Sequence, residues 1–352
     1  METTKKRALG LTSLLLWCSL CLLWSCTTPP DDNNNDASVA RDEGPRRINY
    51  PLDDKLRLNH IQVLGTHNSY HIAPENPIDA WAYTHKPLNV QLGSHGIRQF
   101  ELDLYWNKDK KHYLVQHIPL LDPKTTCDTF VKCLKVMKDW SDRHPQHLPM
   151  VVMLETKVSS VDEPPQMFES MEKEILKVWP RESILKPDDV QGSYATIQEA
   201  IQKEGWPTLG AVRGKILFFL LTNSKRRAVY TDNNTSLKGK LMFASGPLDS
   251  PLTAITNLDN PGDKDKILKA LKAGILVRTR ADDDPKADKK DNEERFAAAL
   301  SSGAQFISTD FPYPRDDGYI VKLPGGALVR CNPILAPSDC TPSALEQGKT
   351  TP

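Results

Sequence analysis

The sequence predicts an α/β fold, a (β/α)8 TIM-type barrel with distorted or partly irregular stretches, and three observations predict it. Eight short apolar runs of strand length recur along the chain, with helical periodicity between several of them, as parallel strands joined by crossover helices require. The 352 residues exceed one ordinary domain, but a barrel over residues 48–340 with tails accommodates them. Chemistry-bearing polar residues fall where the runs end, and a barrel gathers its functional groups at the C-terminal ends of its strands.

The strand candidates are, in order, "HIQVLGT", "GIRQFELDLY", "HYLVQHI", "PMVVMLE", "KILFFLL", "LMFAS", "ILVRTR" and "QFISTD". Between them, "DTFVKCLKVMKDWSD" sets Phe130, Leu134 and Met137 on one helical face. "QMFESMEKEILKVW", "DKILKALKAG" and "NEERFAAALSSG" repeat that pattern later. In the second run, Glu101 and Asp103 are two residues apart and share one strand face, while Phe100, Leu102 and Leu104 take the other, towards the helices.

The N-terminus reads as an export signal. Lys5, Lys6 and Arg7 precede an apolar stretch of about fifteen residues, too short to span a bilayer comfortably. It closes on "LLWSC", which resembles the lipobox of bacterial lipoproteins and predicts a lipidated Cys26, although Trp24 is bulkier than the usual residue there. An ordinary cleaved signal or an uncleaved anchor is the alternative, and all three take the chain out of the cytoplasm. Residues 27–47 are polar and rich in Asn and Pro, a tether rather than a packed segment, and residues 341–352 read as a loose tail.

With Cys18, Cys21 and Cys26 assigned to the leader, Cys127, Cys133, Cys331 and Cys340 remain. They form two close pairs and read as two local disulfides of an exported protein. A metal site is disfavoured because neither pair has the two-residue spacing of zinc ligands. Lys+Arg and Asp+Glu balance at 45 each, so no global field draws nucleic acid or an anionic surface. No protein partner is implied, and a monomer is expected.

Read at the strand ends, the first run closes on His67 and Asn68, the second on Glu101 and Asp103, the third on His117, the fourth on Glu155 and the eighth on Asp310. Three crowded carboxylates would repel one another and raise one another's pKa unless a cation neutralised them. Asn68, Glu101, Asp103 and Glu155 offer only oxygen, the ligand type of a hard ion, and calcium accepts more such oxygens than magnesium. The two histidines are then free for proton transfer. Such a site suits cleavage of a phosphodiester. Elsewhere, His71, His85, His95 and His112 are expected at the surface or in loops, and Arg98 at the barrel bottom. The run "ADDDPKADKKDNEER" reads as a solvated loop, with lining of the site as the alternative because it follows the seventh strand.

"THNSYH", "GIRQFELDLY", "VQH", "VVMLETK" and "RGKILFFL" resemble the calcium-dependent phosphatidylinositol-specific phospholipases C, in particular their secreted bacterial branch, over most of residues 55–315. The resemblance implies that His67 and His117 are catalytic and that Asn68, Glu101, Asp103 and Glu155 hold calcium. It further implies that Lys215 approaches the substrate phosphate and that Arg278 contacts the inositol ring or its phosphates. The implied reaction is attack of the inositol 2-hydroxyl on its own phosphate, releasing diacylglycerol and a cyclic inositol phosphate from phosphatidylinositol or a related lipid. His67 would stabilise the phosphorane, His117 would protonate the leaving oxygen, and Glu101 or another calcium-bound carboxylate would be the base. Glycerophosphodiester phosphodiesterases and sphingomyelinase D enzymes share such a barrel but place Arg where this chain has Asn68. A non-catalytic surface lipoprotein is the other alternative, and the presence of both histidines counts against it.

Overall fold

The computed structural model describes residues 48–157, 166–346 and 349–350. Its strands are β1 Ile48–Asn49, β2 Ile61–Thr66, β3 Gln99–Asn107, β4 His112–Val115, β5 Met150–Thr156 and β6 Ile216–Leu221. They continue with β7 Met242–Ala244, β8 Ile255–Asn257, β9 Leu276–Arg280, β10 Phe306–Thr309, β11 Val329–Cys331 and β12 Lys349–Thr350. Eight of them lie side by side and parallel in the order β7-β6-β5-β3-β2-β10-β9-β8. The seam between β7 and β8 carries no ladder among the described residues, and Ser245 Oγ and Thr256 Oγ1 meet across it at 3.4 Å. The result is a nearly closed TIM-type barrel with helices between its strands.

The expected number of barrel strands is right, but one member differs. "HYLVQHI" supplies β4, which turns back antiparallel on β3, pairing Leu104 with Val115 and Asn107 with His112. Only residues 108–111 connect the two, and a parallel crossover needs a dozen or more. The vacant place belongs to β8, three residues within "AITN", too short to show as an apolar run.

Alternation along the strands separates two cores. Val151 and Met153 of β5, Leu217 and Phe219 of β6, and Phe306 of β10 pack inside the barrel. Phe100, Leu102, Leu104, Val152, Leu154, Phe218 and Leu220 pack outward, in one cluster with Phe130, Leu134 and Met137 of the helix Phe130–Arg143. Burial on both faces explains why "ILFFLL" is continuously apolar. Each fully buried side chain of this kind contributes roughly 1.5–3 kcal/mol. The helix Phe130–Arg143 starts where the Thr129 side chain accepts from the Lys132 amide. Its first turn is tied by the disulfide Cys127–Cys133, and Cys331–Cys340 joins β11 to the segment that follows.

At the N-terminal end of β3, Arg98 donates to the carbonyls of Leu92 and Ile97 at 2.9 Å and lies over the Trp140 ring. That is the structural role expected of it. Within the segment expected to be a tail, Pro342–Glu346 is helical and Leu345 is buried. The leader ending at Cys26 and the tether 27–47 lie outside the described residues. Among the described residues, no helix is long and apolar enough to cross a membrane.

Candidate active site

The turn after β2 is shaped by its own side chains. Gly65 must be glycine, because a Cβ there would stand 2.0 Å from Gln99 Oε1. Thr66 Oγ1 lies 2.7 Å from both Ser69 Oγ and Gln91 Oε1, and Asn68 adopts a positive φ of 42°. Ser69 then braces the next strand: its amide donates to the Glu101 carbonyl, and its hydroxyl accepts from the Glu101 amide. His67 and Glu101 are thereby locked together, with His67 Nε2 4.0 Å from Glu101 Oε1.

His67 Nδ1 sits 2.9 Å from Asp310 Oδ1. Asp310 also receives Arg280 Nη2 at 2.9 Å, and its backbone amide donates to Asp282. Burial, helped by Arg280 and Arg278, holds the His67 pKa well below its ordinary value, so the ring is neutral near pH 7. With Nδ1 donating to the carboxylate, Nε2 carries the lone pair.

In the register of β3 and β5, Asp103 stands opposite Glu155, and Glu101 lies two residues earlier on the same inner face. One oxygen from each of Glu101, Asp103 and Glu155 lies within 4.8 Å of the others. Burial raises Glu101 to about 7, with Arg278 opposing and Glu155 assisting. Burial also pushes Asp103 well above the usual carboxylate range, with Lys157 opposing and Glu155 and Glu101 assisting. Neither oxygen of Asp103 finds a hydrogen-bond donor, although Lys157 Nζ stands 3.0 Å from Asp103 Oδ2 and 2.7 Å from Glu155 Oε1. Asn68 borders the trio through Tyr70, whose hydroxyl donates to Asn68 Oδ1 at 3.4 Å and whose pKa is raised by burial, with Asp103 nearby assisting. A cluster of three carboxylates offering only oxygen, with both oxygens of the buried Asp103 unpartnered, fits a hard divalent cation such as calcium.

His117 follows β4. Its Nδ1 is 2.8 Å from Asp122 Oδ2, its carbonyl accepts from Tyr105, and Trp81 stands edge-on to its ring. Burial lowers its pKa, with Asp122 opposing.

Not every expected position holds. Lys215 precedes β6, at the opposite end of the barrel from the carboxylates, because "RGK" turns into that strand through Gly214 with φ 73°. Its carbonyl accepts from the Met150 amide, so the residue closes the barrel bottom and cannot meet a substrate at the rim. Arg278 does reach the site, but fully buried. Its guanidinium donates to Glu101 Oε2 at 2.7 Å, Ser308 Oγ at 3.0 Å, Asn257 Oδ1 at 3.0 Å and to Asp259. His71 and His85 are buried rather than superficial: His71 satisfies both ring nitrogens inside the fold and His85 one of its two. His71 lies between the Tyr83 carbonyl and Asp122, and His85 meets the His67 carbonyl. The charge run likewise starts inside, since Asp282 is buried against Thr309 and Tyr319. Lys157, Arg280, Tyr83 and Asp122 complete the site without having been singled out from the sequence, whereas Asp282 belongs to the charge run for which lining the site was the alternative. Lys157 had one signal, its place two residues after Glu155.

A sequence profile of the calcium-dependent phosphoinositide phospholipases C matches residues 56–115 and 107–333. The chain belongs to that family. Among solved structures it is similar to a calcium-dependent phosphoinositol-specific phospholipase C of a Gram-negative Pseudomonas species. The two share 21% identity over 81% of this chain and 98% of that one, with a TM-score of 0.60. The myo-inositol complex of the Pseudomonas enzyme aligns at 20% identity over 82% and 100% of the two chains, again at 0.60. A calcium-dependent phosphatidylinositol-specific phospholipase C from Streptomyces antibioticus aligns at 18% identity over 73% and 95%, with a TM-score of 0.56. These likenesses bear on the fold. No curated protein sequence matches the chain.

Proposed function

We propose that this phospholipase C family member cleaves phosphatidylinositol, or a related inositol lipid, by attack of the inositol 2-hydroxyl on its phosphate. The observation that carries this reading is the all-oxygen trio Glu101, Asp103 and Glu155, gathered within 4.8 Å, in which neither oxygen of buried Asp103 has a hydrogen-bond partner and a neutral imidazole stands beside Glu101. Calcium held by Asn68, Glu101, Asp103 and Glu155 would supply a Lewis acid that lowers the hydroxyl pKa and offsets phosphorane charge. The hydroxyl proton passes to the pair formed by Glu101 and His67. His67 Nε2 suits it best, because Nδ1 is committed to Asp310 and the resulting imidazolium lies beside that carboxylate. Stabilising the phosphorane, the part the resemblance implied for His67, would thus fall to the residues that hold the cation rather than to the imidazole. His117 gives its Nε2 proton to the departing diacylglycerol oxygen. Arg278 positions Glu101.

The mouth suits a lipid-borne substrate. Leu120 and Leu121 are 95% and 65% exposed on the turn that follows His117, and Ile78 is 55% exposed three residues before Trp81. The two disulfides fit export. Anchoring through a lipidated Cys26 would hold the barrel at a membrane, and the mass of the mature N-terminal peptide tests that.

Incubating the protein with phosphatidylinositol, with calcium or with chelator, tests the reaction. Calcium-dependent diacylglycerol and a cyclic inositol phosphate, seen by phosphorus NMR, are expected. Phosphatidate with free inositol would mean another bond is cut, and equal turnover in chelator would remove the metal assignment.

A further inference from the structure

Asp122 lies five residues beyond His117 and is fully buried, and no motif in the chain drew attention to it. Its Oδ2 is 2.8 Å from His117 Nδ1 and also 2.8 Å from His71 Nε2, while Oδ1 has no partner. His71 is completely enclosed, and its other nitrogen meets the Tyr83 carbonyl at 2.9 Å. That carbonyl can only accept, so Nδ1 of His71 donates, and one proton must lie between His71 Nε2 and Asp122 Oδ2. The carboxylate is therefore gripped from behind by a side chain that cannot turn. It is gripped along the backbone as well, since Ile118 and Asp122 exchange both amide-to-carbonyl hydrogen bonds.

We infer that Asp122, clamped by His71, is the positioning residue that fixes the ring orientation and tautomer of His117 for the proposed reaction. The clamp keeps the proton of neutral His117 on Nδ1 and leaves Nε2 as the nitrogen that serves the leaving oxygen. This inference rests on the proton-donor role given to His117 above. The balance is simple: imidazolium His117 gives its Nε2 proton to the alkoxide as the P–O bond breaks, and the neutral ring keeps Nδ1–H on Asp122. Ring orientation set by a buried carboxylate is the logic of serine-protease triads, where replacing the aspartate by asparagine leaves the geometry but presents the wrong tautomer.

The same three groups have ligand atoms within 4.8 Å of one another, so a metal is the competing reading. The hydrogen-bond spacing at both 2.8 Å contacts and the full enclosure of His71 favour the clamp.

The test is Asp122→Asn in the full-length protein, read by two-bond ¹H–¹⁵N correlation spectra of the histidine rings together with steady-state kinetics. The wild type should show His117 as the Nδ1–H tautomer. The variant should populate Nε2–H and lose ~10²-fold or more in kcat with KM changed little, the pattern of a proton-transfer defect. An unchanged tautomer, or an unchanged kcat in a folded variant, would overturn the inference. So would one tightly bound zinc ion per wild-type chain that disappears in the variant. Should Asp122→Asn not fold, His71→Asn tests the same clamp. It leaves Asp122 on His117, and kcat should fall at constant KM while melting stays cooperative; wild-type kcat would overturn the inference. Wild-type protein inactive on phosphatidylinositol would fail the proposed function instead, and the tautomer spectra would still decide the role of Asp122.

Discussion

At the scale of single residues, the chemistry concentrates on the imidazoles and on one lysine. His67→Ala removes the acceptor that Asp310 orients, and the rate on phosphatidylinositol should fall ~10²–10⁴-fold, the usual worth of a positioned acid–base group. Calcium affinity measured by calorimetry should stay near wild type, because the oxygens of the trio remain. Equal rates for His67→Ala and wild type at saturating calcium would make the turn a structural feature alone. Lys157 poses the opposite case. Its pKa is held up by Asp103 and Glu155 in spite of burial, so an ammonium occupies the charge that a divalent cation would neutralise. Lys157→Met should tighten calcium binding by about tenfold, since one competing unit charge is gone, and should lower the melting temperature in chelator. Weaker calcium binding would show that the lysine supports the ion. Glu101, Asp103 and Glu155 were legible because strand periodicity puts them on one rim. Lys157 and Asp122 were not, because a lysine or aspartate just beyond a strand looks like any solvated loop residue until the fold buries its partner.

At the scale of elements, the hairpin β3–β4 and the turn after it carry His117, and here sequence and structure part company. "HYLVQHI" has the composition of a barrel strand, and only the four-residue link to β3 betrays it as a hairpin arm. Lys215 was misplaced for a related reason: a motif match gives its place in the chain, whereas the barrel end depends on which side of the strand it falls. The turn 118–122 joins two functions. Asp122 faces inward to both histidines, while Leu120, held at a positive φ of 68°, points into solvent. Backbone strain of that kind costs on the order of 1–3 kcal/mol and persists where a function holds it. Replacing Leu120 and Leu121 together by Ser should weaken hydrolysis of phosphatidylinositol in vesicles by about tenfold. A monomeric short-chain analogue should be cleaved at the wild-type rate. Equal losses on both substrates would mean that the turn serves His117 alone.

At the scale of the whole molecule, burial of ionisable groups sets how stability follows pH. His147 lies at the barrel bottom, remote from the carboxylates, with Nδ1 on the Leu148 carbonyl at 2.6 Å and Nε2 on Ser141 Oγ at 2.8 Å. Burial lowers its pKa to about 4, against the backbone hydrogen bond to Leu148. An unfolded chain takes up a proton at this histidine below pH 6.5, whereas the folded chain refuses it until about pH 4. Stability from His147 is therefore complete above pH 6.5, is lost as pH falls between those values, and is level below them. Glu174, raised to about 7 by burial against the Tyr113 amide, works the other way, because its folded form binds a proton that the unfolded form has released. The wild-type profile is thus a sum of opposing slopes, and its shape alone identifies neither group. A difference does. Between pH 7 and pH 4.5, His147→Gln should lose about 2 kcal/mol less stability than wild type in urea titrations run in chelator. Gln retains a donor and an acceptor for Leu148 and Ser141 but cannot charge. Parallel wild-type and variant profiles would show that His147 titrates in the folded barrel much as it does in the unfolded chain.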